Sequence, residues 1–128
     1  MIQKQTWVKI ADSSLAKWSK TFQLYGGFSR ANTSTGNFIK GSVRIVQPPI
    51  QTYKGFTVRI IMKGKVSKIL ITRQVYNSLF FNWLGINFKL NSGIILKKKK
   101  IPSSQHILGP TTRNIRFKKY ILFFHFIF

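Results

Sequence analysis

Basic side chains are the residues of this chain with the clearest chemistry. Twenty-two lysines and arginines stand against one acidic residue, Asp12, so the formal net charge is +21 at pH 7. Ammonium and guanidinium groups neutralise phosphates, and a polyanion would supply the missing negative charge. Because Asp12 is the only acidic residue among the cations, the sequence predicts binding to a polyanion rather than an ordinary solvated surface.

The same imbalance argues against catalysis and metal binding. General acid–base pairs and hard-metal sites need carboxylates, and the chain has no cysteine to serve as nucleophile or zinc ligand. His106 and His125 have no carboxylate or thiol near them in sequence. Asp12 lies in Ala-Asp-Ser-Ser, a turn sequence in which the carboxylate accepts backbone N–H bonds. We expect no catalytic residue, no metal, no cofactor and a structural role for Asp12.

Short segments with apolar residues at every second position are the elements that would carry these cations. The apolar sets are Val8 and Ile10; Phe22 and Leu24; Ile39, Val43 and Ile45; and Phe56, Val58, Ile60 and Met62. Further strands are predicted at residues 68–73, 79–83 and 87–91, with turns at Gly26-Gly27, Pro48-Pro49 and Lys54-Gly55. This pattern is typical of a small antiparallel β-barrel.

The chain is predicted to be a single domain of three parts. Residues 1–91 form the barrel, residues 92–104 a basic loop, and residues 105–128 a C-terminal segment. Thr111 or Thr112 is placed to cap a short helix. The apolar tail, residues 120–128, is expected to pack on the barrel or on a neighbouring protein, with a membrane contact as the alternative. Nine residues are fewer than the roughly 20 of a membrane-spanning helix, and the N-terminus lacks the apolar stretch of a signal peptide.

Aromatic residues test whether the barrel reads unstacked bases, since single-strand binders display rings on an open sheet face. Phe22, Phe38, Phe56 and Phe88 fall on the apolar phases of their strands, which favours core packing. The sequence does not decide whether Trp7, Trp18 and Trp83 belong to the core or to the surface. Trp18 lies beside two lysines and is placed to meet RNA or a protein.

The cations run along the whole chain, which predicts a wide contact surface rather than one groove. The candidate RNA contacts are Lys17, Lys20, Arg30, Lys40, Arg44, Lys54, Lys63, Lys65, Lys68, Arg73, Lys97, Lys98, Lys99, Lys100, Arg113, Arg116, Lys118 and Lys119.

Six segments, in order, resemble the large-subunit ribosomal protein family called L fourteen, of the bacterial and organellar type. They are residues 1–6 (M-I-Q-K-Q-T), 11–16 (A-D-S-S-L-A), 24–27 (L-Y-G-G), 36–40 (G-N-F-I-K), 54–58 (K-G-F-T-V) and 107–116 (I-L-G-P-T-T-R-N-I-R). Asn37, Phe56 and Asn114 stand where the family usually has acids. Such drift, with a residue usage typical of AT-rich genomes, fits a divergent mitochondrial copy encoded in the organelle, which would need no import presequence.

The resemblance implies a five-stranded barrel with a short C-terminal helical segment, and a structural rather than enzymatic role. It implies binding to large-subunit rRNA at the subunit interface of a mitochondrial ribosome. The implied partners are the neighbouring proteins called L nineteen and L three, small-subunit rRNA through an intersubunit bridge, and a ribosome silencing factor.

Two other functions stay open on the residues alone. A stand-alone barrel that binds single-stranded nucleic acid would need exposed aromatics on one sheet face and a cleft. A cationic membrane-active protein would need the apolar tail to be exposed.

Overall fold

A computed structural model of the chain describes residues 1–27, 29–48, 61–76, 78–79, 85–97, 100–117, 124 and 126–127. Its strands are β1 (Ile2–Gln3), β2 (Trp7–Ile10), β3 (Ala16–Leu24), β4 (Asn32–Thr33), β5 (Phe38–Val46), β6 (Val66–Arg73), β7 (Ser78–Leu79), β8 (Gly85–Ile86), β9 (Ser92–Leu96), β10 (His106–Ile107) and β11 (Phe126–Ile127). One helical turn, α1 (Asn114–Phe117), follows β10.

Five of these strands close a barrel in the order β2-β3-β5-β6-β9. The prediction of a mainly β chain built on a five-stranded barrel is therefore confirmed. Four of the five pairings are antiparallel, but β9 closes the barrel on β2 in parallel, with Ile10 opposite Gly93. The expected purely antiparallel barrel is wrong at this one seam.

Branched aliphatic side chains fill the barrel interior, as the alternation predicts for β2 and for the first half of β5. Val8, Ile39, Val43 and Ile69 are fully buried, and Ile10 is nearly so. A small barrel leaves room inside for side chains alone, so glycine is required where two strands come closest. A Cβ on Gly93 would lie 2.5 Å from Ile69 Cγ2 and 2.9 Å from the Leu70 carbonyl oxygen.

The C-terminal segment covers the outer face of β6 and β9. Leu70 and Leu96 pack with Ile115, and Phe38 lies against this cluster. Ile94 packs with Ile107 and Phe124 in a second cluster. Strands covered on both faces need apolar residues at consecutive positions, which accounts for the run Ile69-Leu70-Ile71.

Two β-bulges overturn part of the predicted strand phases. The pairing of β3 with β5 has three register shifts, which leave extra residues at Lys17 and Phe22 on β3 and at Arg44 on β5. Those at Phe22 and Arg44 fall within the predicted alternation. A bulge reverses the side on which the following side chains point. Phe22 is therefore 41 % exposed and Ile45 47 % exposed, although both were predicted on the core face. Leu24 keeps its predicted burial.

The predicted basic loop at residues 92–104 begins with the closing barrel strand, β9. All five residues of β9 are buried, so the sequence of this strand lacks the alternation of apolar and polar residues by which a strand is recognised. The strand predicted at residues 87–91 is absent, and this segment is a connection in which the Asn91 carbonyl accepts a bond from Lys9 N–H. Met62 is 72 % exposed while Ile61 is buried, the reverse of the prediction; the preceding residues 56–60 lie outside the described part.

The short helix after β10 is not capped by Thr112 as predicted. α1 begins at Asn114, and the Thr112 hydroxyl donates instead to the Thr72 carbonyl at 3.3 Å. Arg113 lies just before the helical turn. In the tail, Phe124 is buried and β11 pairs with β10, which agrees with packing on the barrel; residues 118–123, 125 and 128 lie outside the described part.

Candidate nucleic-acid interface

Asp12 is held inside the fold and adds no negative charge to the surface. It is 3 % exposed, and its carboxylate accepts hydrogen bonds from Ser14 N–H and Ile95 N–H, each at 2.9 Å, and from the Ser103 hydroxyl at 3.4 Å. The predicted structural role is confirmed, with one donor from its own turn and two from the β9 side. Burial raises the pKa of Asp12, while these hydrogen bonds act in the opposite direction.

Lysines gather along one groove of the barrel, which has a volume of about 950 Å³. Lys40, Lys65, Lys68 and Lys97 line it, together with serine hydroxyls from the turn after β2 and from the segment after β9. The buried Ser67 hydroxyl, which also lines the groove, has no hydrogen-bond partner among the described residues. The groove thus offers donors and cations, and its chemistry suits an anion.

Two aromatic rings hold three lysines of this region together. Lys68 Nζ lies 4.5 Å from the ring centroids of both Tyr25 and Phe38. Lys40 Nζ lies 5.9 Å from the Tyr25 centroid, and Lys100 Nζ lies 5.7 Å from the Phe38 centroid. A ring face attracts a cation within about 6 Å of its centroid. We call Tyr25, Phe38, Lys40, Lys68 and Lys100 the lysine–ring cluster.

The backbone fixes the positions of these lysines. Lys40 and Lys68 are direct partners across β5 and β6. Lys100 lies in the turn after β9, where Lys97 N–H donates to the Ile101 carbonyl at 2.7 Å. Its φ of 62° is in the left-handed region that few non-glycine residues adopt. Burial lowers the pKa of Lys68, and repulsion from Lys100 and Lys40 lowers it further.

Aromatic and aliphatic side chains also lie exposed on β2, β3 and β5. Trp7 is 46 % exposed, and Trp18 is half-buried beside Ile45, its partner across the strands. Phe22 is exposed at the bulge of β3. We call these four residues the outer apolar face. Sequence alternation missed it, because the two bulges that turn Phe22 and Ile45 outward have no sequence signature of their own.

Two predicted RNA-contact arginines donate hydrogen bonds within the fold. The Arg73 guanidinium donates to the Leu108 carbonyl, and burial lowers its pKa. Arg30 Nη1 donates to the Tyr25 carbonyl at 3.0 Å and so wraps the Gly26-Gly27 turn, where both glycines have positive φ. These contacts position Arg30 and Arg73, and the exposed Arg30 side chain keeps further donors for a partner.

The other predicted cations within the described ranges are mostly exposed. Six of them are exposed in the structure, and Lys20 is half-buried; the exposed ones are Lys17, Arg44, Lys63, Lys65, Lys97 and Arg113. Arg116 lies on α1. The remaining predicted residues, Lys54, Lys98, Lys99, Lys118 and Lys119, lie outside the described part. Among the predicted cations that it describes, the structure therefore brings together Lys40, Lys65, Lys68, Lys97 and Lys100.

Two further features concern metal ligands and membrane-crossing helices. Among the described residues, no three His, Cys, Asp or Glu side chains gather in the way that metal ligands would. Within the same ranges, no helix has both the length and the apolarity to cross a bilayer.

The family comparison agrees with the barrel and its cationic surface. Residues 1–124 match the family described as Ribosomal protein L14p/L23e, the family named L fourteen above. A match over nearly the whole chain shows membership, and this family consists of structural constituents of the large ribosomal subunit that bind rRNA. The chain therefore belongs to the Ribosomal protein L14p/L23e family, and it is a structural, rRNA-binding component of the large ribosomal subunit.

Proposed function

We propose that this chain anchors large-subunit rRNA at the subunit interface of a mitochondrial ribosome and contributes to an intersubunit bridge. One observation carries the proposal furthest. The only acidic side chain of the sequence is buried and hydrogen-bonded inside the barrel, so 22 cations have no acidic side chain on the surface to pair with. RNA phosphates supply that missing charge.

The mechanism is electrostatic and geometric. A barrel with a packed interior holds its strands, and the cations that they carry, in fixed places, so these cations meet phosphates without ordering long flexible segments. Each neutralised phosphate releases counterions and makes binding weaker at higher salt. The proposed contacts are the eighteen cations named from the sequence, with the groove lysines at their centre and Arg73 acting through its hold on the segment after β10.

The outer apolar face supports a protein neighbour at strands β2, β3 and β5. Trp7, Phe22 and Ile45 are exposed there, and tryptophan and phenylalanine are enriched in protein interfaces. We propose that this face meets a neighbouring large-subunit protein, of which the proteins called L nineteen and L three are the candidates. We propose the same face as the docking place of a ribosome silencing factor.

The mitochondrial placement rests on composition. Phenylalanine, isoleucine, lysine and asparagine are abundant while acids are nearly absent, as an AT-rich organellar genome would produce. We propose that the chain is organelle-encoded and works in the matrix.

Sedimentation of a native lysate tests the proposal. The chain should migrate with the large ribosomal particle of mitochondria and leave it after ribonuclease treatment. Arg113→Ala with Arg116→Ala should lower its occupancy in the particle, whereas a matched variant at Lys4 and Lys89 should not. A chain that sediments as a free monomer at ordinary ionic strength would contradict the proposal.

One observation favours a second candidate, a stand-alone barrel that binds single strands. Trp7 and Phe22 are exposed on the surface of adjacent strands, where unstacked bases could lie on them. Tight binding of a homopolymeric single strand, lost in Trp7→Ala with Phe22→Ala, would support this function. Equal binding by the variant and the unaltered chain would argue against it.

A further inference from the structure

We propose that the lysine–ring cluster is a binding site for one backbone phosphate of rRNA, seated between Lys40, Lys68 and Lys100. This inference rests on the proposed function and names the place on the barrel where a single phosphate is gripped by several cations at once.

The three lysines are held close together against their mutual repulsion. Lys40 and Lys68 face each other across β5 and β6, an arrangement that destabilises an antiparallel pair when the charges are alike. Lys100 approaches the same rings from the turn after β9. The chain's one acidic side chain, Asp12, is bound elsewhere by Ser14, Ile95 and Ser103. An anion from outside is therefore the group that this cluster lacks.

The rings orient the lysines without neutralising them. Lys68 Nζ lies 4.5 Å from the centroids of Tyr25 and Phe38, so two ring faces hold it in place. A cation–π contact leaves the ammonium charge and its hydrogen-bond donors available for a ligand. Phe38 is itself fixed against Leu70, Leu96 and Ile115. The lysine positions are thus set before the ligand arrives.

The residue before Lys68 shows which side of β6 the cluster occupies. Ser67 is buried to 8 % exposure and shares the interior face of the strand with Ile69. Successive side chains of a strand point to opposite faces, so Lys68 points outward, as does Lys40, its partner on β5. The lowered pKa of Lys68 agrees with a site that is short of negative charge.

Acylation footprinting in the native large subunit tests the site directly. An amine-reactive ester should modify Lys40, Lys68 and Lys100 in the free protein, and their modification should fall at least fivefold in the particle. The protection should disappear after ribonuclease digestion. Protection that survives digestion would assign the cluster to an acidic protein neighbour and overturn the proposal. Protection of the free protein by millimolar inorganic phosphate alone, with none by RNA, would overturn it as well.

Charge-matched variants separate this site from general attraction. Lys40→Gln with Lys68→Gln and Lys100→Gln is compared with Lys4→Gln, Lys9→Gln and Lys89→Gln, since both triple variants lose three charges from exposed or half-exposed lysines. Each phosphate contact contributes about 0.7–0.9 to the slope of log affinity against log salt. For the cluster variant, binding of the full chain to large-subunit rRNA should weaken at least tenfold, and the salt slope should fall by the amount of about one phosphate contact. Both losses should be clearly smaller in the control variant.

Lys100→Gly tests whether a fall in RNA affinity reflects a lost contact or a loss of folding. Glycine accepts the positive φ of this position freely, so the melting temperature should be kept or raised while RNA affinity falls. Equal losses in both triple variants would overturn the phosphate site and leave the proposed function intact. Absence of rRNA binding by the unaltered chain would instead remove the proposed function itself.

Discussion

At the scale of single residues, Asp12 links three parts of the chain through one carboxylate. It ties its own turn at Ser14 to strand β9 at Ile95 and to the segment beyond at Ser103. Its turn role could be predicted from Ala-Asp-Ser-Ser alone, since local Asx geometry is encoded locally. The bond to Ile95 could not, because it joins residues 83 positions apart and depends on barrel closure.

Removal of this carboxylate should destabilise the barrel. Asp12→Ala leaves two backbone N–H donors without an acceptor, and an unsatisfied buried donor costs about 1–3 kcal/mol. Asp12→Asn keeps one acceptor oxygen, so its loss should be smaller. Urea unfolding followed by tryptophan fluorescence measures both. Equal stability of Asp12→Ala and the unaltered chain would show that these bonds contribute nothing.

The raised pKa of Asp12 gives stability a defined pH dependence. Between the ordinary value of 3.8 and the higher folded-state pKa, the folded chain keeps a proton that the unfolded chain has released. Unfolding then releases a proton, so the melting temperature should fall as pH rises through this window. Asp12→Asn should lack that fall. A melting temperature that rises over the same window in the unaltered chain would contradict the assignment.

At the scale of elements, the number of covered faces explains which strands the sequence patterns identified and which they missed. Alternation identified β2 and most of β5 because one face of each meets solvent. β9 escaped it because Ile94 and Leu96 are covered outside while Ile95 is buried inside, and because a run of lysines follows. The bulges at Phe22 and Arg44 were equally hidden, since an extra residue shows only against its paired strand.

Gly93 should be intolerant of any side chain. The added Cβ of Gly93→Ala would meet Ile69 and the Leu70 carbonyl, and overpacking of this kind costs about 1–3 kcal/mol. Ser92→Ala is the matched control on the same strand, because the buried Ser92 hydroxyl has no partner among the described residues. Thermal melting should show a fall for Gly93→Ala only. Equal melting temperatures would mean that β6 and β9 can shift far enough to admit the added methyl group.

Phe124 should be part of the stabilising core. Its side chain packs with Ile94 and Ile107, and truncation of a buried phenylalanine costs about 3–5 kcal/mol. Phe124→Ala, or deletion of residues 123–128, should therefore lower the melting temperature of the free chain. An unchanged value would indicate that the tail packs on an external partner instead.

At the scale of the whole molecule, charge sets the conditions under which the barrel exists. A net charge of +21 repels itself, and this repulsion destabilises the compact state. Charge balance could be read from composition alone, whereas the clustering of Lys40, Lys68 and Lys100 could not, because it needs the register of β5 against β6 and the turn after β9.

Added salt should stabilise the isolated chain while weakening its hold on RNA. Screening reduces repulsion between exposed cations, so the melting temperature should rise between about 10 mM and 300 mM NaCl, where the Debye length falls from about 30 Å to below 8 Å. Affinity for rRNA should fall over the same range. Sucrose at matched osmolality serves as the uncharged control. A melting temperature independent of salt would show that the repulsion is already offset within the fold.

The parallel seam between β2 and β9 has a consequence for biosynthesis. Lys9 of β2 pairs with Ser92 of β9. One edge of β2, the first barrel strand, therefore stays unpaired until β9, the last, has been translated. Long-range closure of this kind slows folding, and an unpaired edge invites aggregation. We expect a nascent chain to keep an open, highly cationic sheet until β9 emerges, and a truncation before residue 92 to leave the free edge of β2 available for aggregation.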